Sequence, residues 1–119
     1  TCFGLGVGCH LTGLHTLKIK ETDRLDALKT ELLKFGATIS VTNDSLQLLA
    51  HDLYDGKHSP PLEGYPQGGV VTYQDHRMAM AFAPLAIKHP IIIQNPEVVS
   101  KSYPTFWDDL KSVGFQLSE

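Results

Sequence analysis

Ionisable side chains gather in three short runs of this chain: Lys20-Glu21-Thr22-Asp23-Arg24, Asp75-His76-Arg77 and Lys101-Ser102-Tyr103-Pro104. Each run opens a segment with helical character and places a cation at or just ahead of the helix start. Aligned peptide dipoles put positive partial charge there, so a cation is misplaced unless something negative sits beside it. Recurrence of the arrangement points to a wall of cations facing small molecules with several negative charges. Arginine suits such ligands because its planar fork donates two parallel hydrogen bonds to a carboxylate or phosphate. Glu21, between Lys20 and Arg24, is placed to transfer a proton. His76, with an ordinary pKa of about 6.5, is a second group able to do so near neutrality. Each run alone has a plainer reading. Glu21 and Asp23 neutralise Lys20 and Arg24 around a capped helix; Asp75 caps another helix with His76 and Arg77 in solvent; Lys101 is a solvated lysine ahead of a helix.

The elements that must carry these residues follow from periodicity. Leu14 to Ile19 reads as a strand, and Thr22 as the cap of a helix running to about Phe35. Leu25, Leu28, Leu32 and Phe35 form its core stripe, and Gly36 is a left-handed stop. At 100° per residue Arg24 lies roughly 60–70° from the centre of that stripe, on a flank that reaches a rim rather than the core. Ala37 to Thr42 and Leu46 to Ala50 read as a hairpin turned by Asn43-Asp44-Ser45. His51 to Gly69 reads as a long loop and Val70 to Tyr73 as a short strand. The next helix, about Asp75 to Lys88, is apolar nearly all round and therefore buried, with Pro84 kinking or breaking it. Ile91 to Gln94 is a strand, Pro104 to Val113 a helix, and Phe115 to Leu117 a last strand. The order β-α-β-β then β-α-β-α-β argues α/β or α+β layers.

Composition narrows the function classes. At 119 residues, with 42% apolar and 19% charged side chains, the chain is long enough for one ordinary soluble domain. A net charge of −3 lacks the basic excess of a nucleic-acid binder. Cys2 and Cys9 form no CxxC pair, and the six histidines show no HxxxH or HExxH spacing, so no metal is expected. The cysteines read as buried free thiols in a reducing cytoplasm. No signal peptide is visible, and the longest apolar stretch, Met78 to Ile87, is well short of a membrane span. Residues Thr1 to Cys9 read as a glycine-broken remnant of something longer.

Taken together, the runs resemble the family of 5-enolpyruvylshikimate-3-phosphate (EPSP) synthase. Leu17-Lys18-Ile19-Lys20-Glu21-Thr22-Asp23-Arg24-Leu25 is similar to its signature strand-to-helix turn. Tyr73-Gln74-Asp75-His76-Arg77-Met78-Ala79-Met80 is similar to its second signature. Val99-Ser100-Lys101-Ser102-Tyr103-Pro104, with Phe106 and Trp107, resembles its C-terminal segment. The resemblance implies transfer of the enolpyruvyl group of phosphoenolpyruvate to the 5-hydroxyl of shikimate 3-phosphate, releasing phosphate, in the cytoplasmic route to aromatic amino acids. It implies no metal or organic cofactor. It also implies that Arg24, Arg77 and Lys101 hold phosphoenolpyruvate, and that Lys20 touches shikimate phosphate and the reacting centre. Glu21 would donate or relay the proton, Asp75 and His76 would line the same wall, and glyphosate would compete at these cations.

The implied fold has two domains of repeated βαβαββ units around a closing cleft. Residues 1–119 would cover the end of the C-terminal domain, with the N-terminal domain absent and the family's general-base aspartate upstream of Thr1. Where some members carry Asn four places before the signature lysine, this chain has Thr16, a departure at one expected contact to shikimate phosphate. The isolated 119 residues are expected to be inactive and to self-associate. A sister UDP-sugar enolpyruvyl transferase and a non-catalytic module for phosphorylated ligands are the alternatives. Intact Glu21 and His76 weigh against the second.

Overall fold

The computed structural model describes residues 1–20, 22–50 and 68–118. A short helix α1 (Cys2–Leu5) leads into strand β1 (Cys9–Leu11). Helix α2 (Arg24–Lys34) precedes the hairpin of β2 (Ile39–Val41) and β3 (Leu46–Leu48). Helices α3 (His76–Phe82) and α4 (Phe106–Ser112) follow. The strands form an antiparallel sheet in the order β1-β3-β2, with Cys9 and Ile39 both opposite Leu48, and Leu11 and Val41 opposite Leu46. This mixed helix-and-strand arrangement agrees with an α/β or α+β class.

The α2 stripe behaves as its spacing demands. Leu25 and Phe35 are buried, with Leu28 and Leu32 partly so. Gly36 stops the helix at φ +87°, a left-handed backbone that a side chain would resist. The hairpin closes with the Thr42 amide donating to the Ser45 carbonyl at 3.0 Å. Leu46 and Leu48 face inward while Gln47 faces out, the alternation a one-sided sheet requires. Phe35 links the layers, stacking on Phe82 at 6.0 Å and meeting the edge of Phe3 at 6.1 Å.

Helix α3 lies between two apolar clusters. Met78 and Phe82 join the main core, and Ala79 and Ala83 join a second cluster with Val99 and Phe106. That double burial accounts for the apolar composition of the helix, although Arg77 and Ala81 are exposed, so it is not buried all round. At Ala83–Ile87 the α-helix tightens into a 3-10 turn that includes Pro84, as the missing proline N–H demands.

Several expected strands are not regular strands. His15–Ile19 is a 3-10 turn, because Leu14 and Leu17 pack on the core at a spacing of three while Ile19 is 80% exposed. The strand pairing near it is made by β1, whose first residue, Cys9, ends the segment read as a remnant. Val70 and Ile93 form only an isolated parallel bridge, and residues 115–118 form no strand. The loop expected from His51 lies outside the described residues up to position 67. Both cysteines are free but half-buried rather than buried. Burial, then hydrogen bonding to the Cys2 side chain, raises the Cys9 thiol above its ordinary value. No helix among the described residues is long and apolar enough to cross a membrane.

Candidate functional site

Asp23, not Thr22, caps α2, accepting a hydrogen bond from the Asp26 amide at 3.1 Å. Lys18 adds a contact to the Asp23 carboxylate at 3.6 Å. The cap turns the chain so that the first helical residue, Arg24, points away from solvent. Arg24 is only 8% exposed, so its flank of the helix is packed rather than at a rim. A buried guanidinium is costly unless it is paired. Its partner is Asp75, fully buried: Arg24 Nε donates to Asp75 Oδ2 at 2.6 Å and Nη2 donates to Oδ1 at 3.3 Å. This fork-to-carboxylate geometry fixes the plane of the guanidinium.

Asp75 has a second task. It caps α3, its Oδ1 accepting from the Arg77 amide at 2.9 Å. Burial alone would raise its pKa; hydrogen bonds from Arg24 and the Arg77 amide, with the charge of Arg24, outweigh that and hold it below the ordinary carboxylate value. His76 Nδ1 lies 3.9 Å from Asp75 Oδ1, half-buried. One carboxylate thus joins the start of α2 to the start of α3 and the base of the Arg77 residue.

The turn that delivers Asp75 is strained. Tyr73 and Gln74 both have positive φ, +56° and +57°, and the Asp75 amide donates to the Thr72 carbonyl at 2.9 Å. Consecutive left-handed residues between such partners are the pattern of a type I′ turn, which favours Gly, Asn or Asp. Tyr and Gln there cost about 1–3 kcal/mol each.

The structure brings Arg24, Asp75, His76 and the Arg77 backbone together. The Arg77 side chain, Lys20 and Lys101 are exposed. Among the described residues no hydrogen bond or ion pair ties Lys20 or Lys101 to the Arg24–Asp75 pair. Lys101 sits on a turn closed by the Tyr103 amide donating to the Val99 carbonyl at 2.7 Å, and Val99 packs on α3 through Ala79. Glu21 lies outside the described residues.

Comparison with known proteins decides the family. The model of EPSP synthase (3-phosphoshikimate 1-carboxyvinyltransferase) matches residues 8–110, nearly the whole chain. The chain belongs to the EPSP synthase family. It is 49% identical to the 3-phosphoshikimate 1-carboxyvinyltransferase of Bacteroides fragilis, over 97% of this chain and 26% of that protein. The protein of the same name from Clostridium kluyveri is 42% identical over 87% of this chain and 22% of its own length. That from Actinobacillus succinogenes is 36% identical over the same shares. The chain therefore spans about a quarter of the length of the curated relatives it matches.

Within this EPSP synthase-family segment, sequence reasoning missed one polar group of consequence. Glu31 is fully buried on α2. Its Oε1 accepts from the Val71 amide at 2.8 Å and from Lys34 Nζ at 2.7 Å, and its Oε2 accepts from the Tyr73 hydroxyl at 2.7 Å. A usable signal was present: seven residues make nearly two helical turns, so Glu31 falls within about 20° of Arg24 on the same face. Burial, then the hydrogen bond and charge of Glu31, push the Tyr73 phenol up to about 12.

Proposed function

We propose that this chain forms one wall of the substrate site of a 3-phosphoshikimate 1-carboxyvinyltransferase. In the proposed reaction the 5-hydroxyl of shikimate 3-phosphate gives up its proton to a base and its oxygen bonds to C2 of phosphoenolpyruvate, while the methylene carbon gains a proton from an acid. The C2–O bond to phosphate then breaks, and loss of a proton from the methyl group restores the enol double bond. Two phosphates and a carboxylate need fixed cations, and the proton transfers need an acid and a base. Arg24, Arg77 and Lys101 are assigned to phosphoenolpyruvate. Lys20 is assigned to the phosphate of shikimate 3-phosphate and the reacting centre, and Glu21 to proton donation or relay. His76 supports its neighbours. Asp75, with its oxygens held by Arg24 and the Arg77 amide, orients these cations from behind the wall. The facing wall and the general base are assigned to the rest of a two-domain protein.

The observation that carries this reading is the Arg24–Asp75 pair, which places the two signature runs side by side although 51 positions separate them in the chain. The test is phosphate release by the full-length protein from phosphoenolpyruvate and shikimate 3-phosphate, with a UDP-sugar as the competing acceptor. Turnover with shikimate 3-phosphate, abolished by Glu21→Ala and strongly reduced by Arg77→Ala, is expected. Turnover only with the UDP-sugar, or ligand binding without turnover, overturns it.

A further inference from the structure

Helix α2 is fastened to residues 70–77 at two points along one face. Near its start, Arg24 donates to Asp75. Two turns later, Glu31 accepts from the Val71 amide and the Tyr73 hydroxyl. These acceptances bracket Thr72, itself buried, whose hydroxyl donates to the Gln94 carbonyl at 3.0 Å. Between the two fastenings lie the left-handed residues Tyr73 and Gln74. A turn made of residues that disfavour its backbone persists only when its surroundings over-determine it. From α2, Glu31 does so through the Val71 amide and the Tyr73 hydroxyl.

We infer that Glu31 is a positioning residue for the phosphoenolpyruvate cations, acting through the Tyr73-Gln74 turn on Asp75 and thereby on Arg24 and Arg77. Its carboxylate is fully buried and filled by protein donors, so it serves the site from behind and does not touch substrate. Loss of the Tyr73 tether lets the turn relax toward right-handed backbone. Asp75 then moves, the Arg24 plane is no longer fixed, and the Arg77 amide loses its acceptor. Lys20, assigned to shikimate 3-phosphate, does not depend on this turn through any described contact. The effect should therefore fall on one substrate. The inference rests on the function proposed above.

The experiment measures KM for each substrate in the full-length protein, comparing wild type with Glu31→Gln and Tyr73→Phe. Tyr73→Phe keeps the ring and leaves Glu31 with Val71 and Lys34, so it remains informative if Glu31→Gln folds poorly. For both variants KM for phosphoenolpyruvate should rise about tenfold, with kcat and KM for shikimate 3-phosphate changed less than about twofold. Adding Gln74→Gly, which relieves a left-handed position, should recover most of the loss in Glu31→Gln. A purely structural role would lower the melting temperature without separating the two KM values. An active wild type whose Tyr73→Phe variant keeps its KM for phosphoenolpyruvate overturns the positioning role alone. A wild type without turnover overturns the functional reading and this inference with it.

Discussion

Arg24 Nε lies 2.6 Å from Asp75 Oδ2, with Arg24 at the first position of α2 and Asp75 at the cap of α3. Each residue solves the other's problem. The helix start disfavours Arg24, the interior disfavours either charge alone, and the pair lets both remain ionised. Removing Asp75 should therefore cost more than a missing cap. Asp75→Ala takes the Asp75 carboxylate away from a buried guanidinium and deprives α3 of its N-cap. A loss of about 3–5 kcal/mol in urea unfolding is expected, against about 1 kcal/mol for a cap alone. The double replacement Arg24→Met with Asp75→Leu should restore much of the stability while removing the phosphoenolpyruvate contact proposed for Arg24. A single Asp75→Ala loss near 1 kcal/mol would mean that the pair contributes nothing beyond the cap.

Stability should fall at both ends of the pH scale for reasons traceable to this joint. The folded-state pKa of Asp75 is lowered from 3.8, so its contribution is present above that value and is lost as pH drops through the lower folded value. The Tyr73 phenol moves the other way, from 10.0 to about 12. Its contribution is intact below 10 and disappears as pH rises toward 12, when the phenolate would face Glu31. Urea midpoints across pH should show both losses, with Tyr73→Phe flattening the alkaline limb and leaving the acid limb in place. An alkaline limb unchanged in Tyr73→Phe would contradict the assignment.

How far the site could be read from the chain depends on the kind of signal each residue carried. Leu25, Leu28, Leu32 and Phe35 announced their helix face because burial enforces a period, and Pro84 announced its break because a missing N–H acts locally. The hairpin was visible in Asn43-Asp44-Ser45 for the same local reason. Leu14 to Ile19 looked like a strand. Its apolar contacts, though, recur at Leu14 and Leu17 with a spacing that suits a 3-10 turn. Arg24 looked like a rim residue because angular position on a helix says nothing about what packs against that flank. Glu31 was missed for a related reason: its place on the Arg24 face could be counted, but a charged residue two turns from Arg24 reads as solvated until residues 70–73 arrive to cover it. The left-handed pair Tyr73-Gln74 carried no local signal, since neither residue type favours that backbone.

Gly69 should tolerate no side chain. Its φ is +79°, and an added Cβ would sit 2.8 Å from the Ile92 carbonyl oxygen and 2.7 Å from Ile92 Cγ2. The Val70 amide donates to that same carbonyl at 2.8 Å, so the obstruction falls on the bridge that anchors the segment leading to Asp75. Gly69→Ala is expected to cost more than about 1 kcal/mol. Under the proposed function it should also raise KM for phosphoenolpyruvate in the full-length protein, because Val71 and Tyr73 follow directly. Unchanged stability in this variant would show that the bridge is not needed to hold the turn.

The isolated 119 residues should associate with a second copy. Ile87 and Val113 are 72% and 73% exposed, and both line an open apolar groove with Ile91, Ile92, Trp107 and Leu117. Relatives about four times as long have further chain available to cover such a surface; the segment by itself has only another copy. Replacing Ile87 and Val113 by lysine puts two charges into the groove without touching either core cluster. Sedimentation of the unaltered segment should give dimers or larger species that become monomers in the double variant. A monodisperse monomer of the unaltered segment at high concentration would refute this, and would mean that the exposed groove is tolerated in water.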